Sequence, residues 1–293
     1  MPDTAVFFSQ RLTFTSHADF PSNAASDSRT GAIDAYLFNS NTIESEQITA
    51  LAKQYLHPHE QVIFAKRKQL QAKQEYLASR FIIKTYASEH LGYDFDALCV
   101  LFDDKDTCLN VYHHDEIISL RCCISHSHGQ VLIALVSTKN MSTTNQATIP
   151  AIKLGVDLEW ISTKRSLAKV AKHYYHAQEL QACLAQIEDD VEDSTNAEEI
   201  AKAVHAMAWY RIWTLKEALA KAIKQPIAKL LRDNVFESCQ PLNVYSGCYE
   251  VANKEHGKAF DLSIISDIEL TDNANIHINI LTASLDQDFR KVK

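Results

Sequence analysis

Residues 151–160 read AIKLGVDLEW, and in an extended chain they place Ile152, Leu154, Val156, Leu158 and Trp160 on one face and Lys153, Gly155, Asp157 and Glu159 on the other. Alternation with period two is the pattern of a strand with one face in a core. Immediately before it, residues 137–150 (STKNMSTTNQATIP) are polar and end in proline, which makes them the expected boundary between two halves of the chain. Upstream of that boundary, residues 131–136 (VLIALV) are apolar throughout, as in a strand covered on both faces. Residues 33–38 (IDAYLF), 98–102 (LCVLF) and 117–124 (IISLRCCI) complete the strands expected in the first half.

Helical periodicity fills the intervals. Apolar residues recur at helical spacing over 44–56 and 60–88, then over 167–186, and again over about 197–228, where Val204, Met207, Ala208, Ile212, Leu215, Leu219 and Ile223 share a face and Pro226 weakens the end. Residues 188–199 carry seven acids and belong in solvent. The stretches FDLSIISDIEL and NIHINILTASL are expected as antiparallel strands closing the second half. The expected fold is therefore α+β, two similar halves in tandem with pseudo-twofold symmetry, each a small, mainly antiparallel sheet packed with helices, over residues 1–145 and 146–293. EYLASRFIIKTYA loosely echoes IWTLKEALAKAI, a hint of duplication.

Composition narrows the chemistry. The six glycines form neither G-x-G-x-x-G nor G-x-x-x-x-G-K, so a glycine-rich phosphate loop is excluded. A net charge of −8 speaks against general nucleic-acid binding. No run of 18 apolar residues occurs, the start lacks a signal-peptide pattern, and the seven cysteines show no repeated C-x-x-C. These features lead us to expect a cytoplasmic, membrane-free protein without disulfides.

Three constellations remain. Asp157 and Glu159 project from the same strand face, and their repulsion is relieved either by solvent at a strand edge or by a hard cation such as Mg²⁺. Gly155 is expected to leave that face open. Trp213, Glu217 and Lys221 share a helix face at intervals of four, with Lys216 one step around it; taken alone this is an ordinary helix pair worth ~0.2–0.5 kcal/mol. Ser125-His126-Ser127-His128-Gly129 follows a strand and suits anion binding, a plain turn, or a zinc site using Cys123, His126 and His128, although that spacing matches no closed structural zinc site.

Taken in order, S-H-S-x-G, the strand G-V-D-L-E and, 56 residues after Asp157, W-T-L-K-E-A-L-A-K closely resemble the 4′-phosphopantetheinyl transferase superfamily in its long, single-chain form. H-Y-Y-H-A-Q-E (173–179) and Lys73 with E-Y-L-A-S-R (75–80) extend the likeness over roughly residues 60–230. The chain departs from the pattern at Lys105-Asp106-Thr107 and at Lys224-Gln225-Pro226, and its first ~35 residues have no counterpart. The resemblance implies transfer of phosphopantetheine from coenzyme A, as co-substrate, to a serine of an acyl or peptidyl carrier protein. It implies Mg²⁺, with Mn²⁺ as an alternative, on Asp157, Glu159 and Glu217. Glu217 would take the serine proton, Lys221 would contact the pyrophosphate with Lys216 nearby, and Lys73, Arg80, Ser125 and His126 would hold the nucleotide phosphates. Fatty-acid and secondary-metabolite biosynthesis both use such carriers. A non-catalytic coenzyme A or carrier-binding module of the same fold is the alternative.

Carrier proteins of this kind are acidic, like this chain. Residues 164–176, however, include Lys164, Arg165, Lys169 and Lys172 and no Asp or Glu. A local basic patch within a Debye length of ~8 Å outweighs distant charge, so docking is expected there. A monomer is the simplest expectation for two fused halves.

Overall fold

The unbroken apolar run in the first half becomes the strand Gln130–Ser137, in which Val131 to Val136 are all fully buried. It sits inside a larger sheet because a strand without a polar face needs cover on both sides. The computed structural model describes residues 8–15, 29–138, 152–162, 167–191, 197–251, 258–270 and 275–281. Thirteen strands are described: β1 Phe8–Thr15, β2 Arg29–Gly31, β3 Asp34–Asn39, β4 Leu98–Asp103, β5 Cys108–His113, β6 Glu116–Ile117, β7 Leu120–Ser127, β8 Gln130–Ser137, β9 Leu154–Trp160, β10 Asn243–Val251, β11 Lys258–Ser266, β12 Ile268–Leu270 and β13 Asn275–Leu281. The helices are α1 Ile48–Tyr55, α2 Pro58–Ala65, α3 Leu70–Leu91, α4 Leu167–Tyr174, α5 Ala177–Val191, α6 Ala197–Ala222, α7 Ile227–Leu230 and α8 Val235–Cys239.

The chain divides into two compact units. The first comprises Met1–Phe14, Thr30–Ile152 and Leu270–Lys293; the second comprises Thr15–Arg29 and Lys153–Glu269. In the first unit the strand order is β1-β13-β3-β8-β7-β5-β4, with β6 paired to β5. Its core joins the α3 residues Tyr76, Leu77, Phe81 and Ile83 to Val131, Ile133 and Leu135 of β8 and to Val100 and Val111 of β4 and β5. α3 stops at Gly92, whose φ of +78° is a left-handed cap that side chains resist. The second unit is a three-stranded antiparallel sheet, β10-β11-β9, packed against α6, with α5 against α6 in turn. Its core is formed by Tyr210, Ile212, Leu215, Ala218 and Leu219 of α6 with Val244 and Ile265. No helix among the described residues is long and apolar enough to cross a membrane, and no disulfide joins the seven cysteines.

The α+β class with antiparallel sheets against helices is as expected. The division at residue 145 is not what the units show. The C-terminal stretch NIHINIL does not close the second half: β13 pairs parallel with β3 and so belongs to the first unit, where Ile278 is buried beside Ala35. The two units also differ in sheet size, eight strands against three. β5 and β10 lie where the sequence analysis places no strand. The expected helix over 60–88 is two helices, broken at 66–69; that over 167–186 breaks at 175–176; and the long helix to 228 ends at Ala222, followed by Lys224 at φ +55° and Pro226. The polar boundary centred on 139–151 lies outside the described residues.

Candidate active site

Gly155 organises the second unit. A Cβ on Gly155 would stand 1.9 Å from the Ala218 carbonyl oxygen and 2.6 Å from the Ala222 nitrogen, so the α6 backbone lies directly on the β9 face that carries Asp157 and Glu159. The face expected to be open is filled by the helix, and only a residue without a side chain permits that approach. The helix thereby delivers Lys221 to the strand: its Nζ donates to Asp157 Oδ1 at 2.8 Å and to the Val156 carbonyl at 2.9 Å.

Asp157 is buried. Glu217, one turn before Lys221, is held above the usual carboxylate range by its burial and then by the charge of Asp157, with Lys221 pulling the other way. Glu159 is partly exposed, two residues along the same strand face, and faces Asp261 across the ladder. Carboxylates offer oxygen donors only, the chemistry a hard divalent cation takes. Asp157, Glu159 and Glu217 are thus the residues that fit such an ion.

A second group, absent from the sequence reading, fixes how α6 sits on the sheet. Arg211 donates from Nε to both oxygens of Asp261 at 3.1 and 2.9 Å, and its second terminal nitrogen lies 2.8 Å from Oδ2. Thr214 Oγ1 donates to Asp261 Oδ1 at 2.7 Å and lies 2.9 Å from Ser263 Oγ. Asp261 and Ser263 are the β11 partners of Glu159 and Asp157. The pair ties two α6 positions to the strand beside the acids, and the signal for it was an Asp between the apolar Phe260 and Leu262 of a strand.

Lys216 is not brought to this cluster. It is fully buried, and its Nζ contacts Glu179 Oε1 at 2.8 Å, the Asp233 carbonyl at 2.6 Å and the Leu230 carbonyl at 3.2 Å. Three acceptors take the three donors of an ammonium. Adjacent helix positions point about 100° apart, so Lys216 serves the packing of α5 and α8 while Glu217 faces the strand.

The first unit carries the remaining candidates. The guanidinium of Arg80 stacks 4.1 Å from the Tyr76 ring centre and that of Arg67 4.4 Å from the same ring. Arg80 is buried, and its Nε and the Arg67 Nε have no hydrogen-bond partner among the described residues. Lys73, half-buried, lies 5.5 Å from the Phe64 ring. Such a cluster of orphaned donors suits an anion, and Arg67 joins Arg80 in it. β7 runs through Ser127 rather than ending at Ile124, so Ser125 and His126 are strand residues, and the turn is His128-Gly129 with φ of +51° and +84°. Positive φ at both positions is a type I′ hairpin. Gly129 has no room for a Cβ beside Asn41, and its N–H donates to Glu75 Oε1 at 3.1 Å. Glu75 Oε2 lies 3.0 Å from half-exposed His126 Nδ1. Burial raises the Glu75 carboxyl, but hydrogen bonds from His126, Gln71 and Gly129 outweigh it and leave it below its ordinary value. Cys123 and His126, three apart on a strand, face opposite sides and do not form the zinc site considered above.

Of the basic segment after β9, Lys169 and Lys172 are exposed on α4, while Lys164 and Arg165 lie outside the described residues. Compared with known families, residues 153–276 match the family model described as the 4′-phosphopantetheinyl transferase superfamily. No curated protein matches the chain.

Proposed function

We propose that the chain, whose residues 153–276 match the model of the 4′-phosphopantetheinyl transferase superfamily, moves the 4′-phosphopantetheine arm of coenzyme A onto a serine of an acyl or peptidyl carrier protein. The observation that carries this reading is the juxtaposition of Asp157, Glu217 and Lys221 by the close packing of α6 on Gly155. Mg²⁺ on Asp157, Glu159 and Glu217 would supply charge neutralisation at a pyrophosphate. Asp157 and Glu159 would hold the ion from one strand face. Glu217, with its raised proton affinity, accepts the proton of the carrier serine as the serine oxygen bonds to the phosphorus attached to pantetheine. The phosphoanhydride bond breaks and its electron pair leaves with adenosine 3′,5′-bisphosphate. Lys221, anchored on Asp157, sets a positive charge beside the phosphates.

The nucleotide phosphates are assigned to Lys73, Arg80, Ser125 and His126, with Arg67 added, because the buried Nε atoms of Arg67 and Arg80 have no hydrogen-bond partner among the described residues. The carrier is assigned to α4, where Lys169 and Lys172 meet an acidic surface.

Intact-protein mass spectrometry tests the reading. An apo carrier protein incubated with the protein, coenzyme A and Mg²⁺ gains one phosphopantetheine mass, and gains nothing with EDTA or with Glu217→Ala. No gain on several unrelated carriers, despite measurable coenzyme A binding, would reassign the chain to a binding module.

A further inference from the structure

A separate donor set lies within the first unit, on residues the proposed transfer does not use. His57-Pro58-His59 opens α2, with Pro58 fixing the backbone at the first helical position. Glu60, fully buried, accepts the His57 N–H through Oε2 at 2.8 Å and the Val100 N–H through Oε1 at 2.8 Å. One carboxylate therefore clamps the His-Pro-His corner to the strand residue next to Cys99. As a result, one ligand atom from each of His57, His59 and Cys99 lies within 4.8 Å of the other two.

The positive charge of buried Lys84 is matched by Glu60, 3.9 Å away, and its Nζ donates to the Tyr55 carbonyl at 2.7 Å. His57 is half-buried beside them. It accepts the His59 N–H at 3.4 Å, a long contact that a metal bond replaces at little loss.

We infer that His57, His59 and Cys99 form a binding site for Zn²⁺, with water as the fourth ligand. Two imidazoles and a thiolate select a borderline-soft ion over Mg²⁺ or Ca²⁺. In a tetrahedron with zinc–nitrogen and zinc–sulfur bonds of about 2.1 and 2.3 Å, donors stand about 3.4–3.8 Å apart, so closure needs ~1 Å of side-chain movement, available at exposed His59. On binding, the Cys99 S–H bond breaks, the sulfur pair bonds to the metal, and one proton goes to solvent. The ion would staple the start of α2 to β4. The site is independent of the proposed transfer.

Co²⁺ titration of the full-length protein tests it. The expected result is a near-ultraviolet thiolate-to-cobalt band that saturates at one ion per chain, is displaced by Zn²⁺, is unchanged in Asp157→Asn and is absent in Cys99→Ser. His59→Ala, altering an exposed side chain, weakens Zn²⁺ at least about tenfold and shrinks the Zn²⁺-induced rise in Tm. Cobalt binding without the thiolate band in the unaltered protein, or an equal Tm rise with and without His59, overturns the proposal. Should Cys99→Ser fail to fold, the His59→Ala comparison decides.

Discussion

Glu217 sits where its own charge is unwelcome. Burial and Asp157 raise its proton affinity above that of the unfolded chain, against the pull of Lys221. Between the unfolded and folded pKa values the native state therefore binds more protons, and metal-free stability falls as pH rises through that window. Glu217→Gln should raise the Tm of the EDTA-treated protein at neutral pH while lowering carrier modification ~10²–10⁴-fold; calorimetry and mass spectrometry read the two effects. Mg²⁺ affinity, measured calorimetrically, should weaken as pH drops through the raised Glu217 pKa, because a proton must leave before the ion binds. Lys216 is the contrasting case. Lys216→Met strands buried Glu179 and should cost about 3–5 kcal/mol in denaturant unfolding, with kcat per folded molecule unchanged; a drop in kcat at full stability would return Lys216 to the chemistry. The Glu217–Lys221 spacing was legible in the sequence as a shared helix face. The fate of Lys216 was not, because its partners Glu179, Leu230 and Asp233 come from other segments.

The pairing of α6 with β9 is the element on which the acids depend. Gly155→Ala puts a Cβ inside van der Waals contact with the Ala218 and Ala222 backbone, which cannot rotate away. We expect a loss of about 1–3 kcal/mol in unfolding free energy, together with weaker Mg²⁺ binding as Lys221 and Glu217 shift from Asp157. Unchanged metal affinity would mean that α6 is not what positions the cluster. Alternation in AIKLGVDLEW gave this strand directly, and the apolar run VLIALV gave β8. What remained hidden were interruptions without a marker: no glycine or proline separates α2 from α3 at 66–69, yet the break presents Arg67 to Tyr76. The Gly155 face was misread as open for a related reason. A glycine in a strand signals close approach as readily as empty space, and only the packed helix distinguishes them.

At the scale of the molecule, charge and chain path matter most. With a net charge of −8, the protein repels an acidic carrier at long range, so docking must rest on contacts made within the Debye length, where salt screens them less. Reversing Lys169 and Lys172 to Glu should raise the KM for the carrier without changing that for coenzyme A; steady-state kinetics with unchanged KM for both would move the docking surface elsewhere. Alternating stretches revealed the α+β class, but not that the last strand returns to the first unit, since a strand's pattern states which face is buried and not which neighbour it joins. That return has a temporal consequence. β13, at residues 275–281, lies between β1 and β3, so a segment made after both of its neighbours fills the interior of the sheet they belong to. Until then β3 offers an unpaired edge on the side away from β8, and a nascent or truncated chain ending near residue 152 should be prone to aggregate, with a peptide spanning 270–293 restoring solubility when supplied in trans.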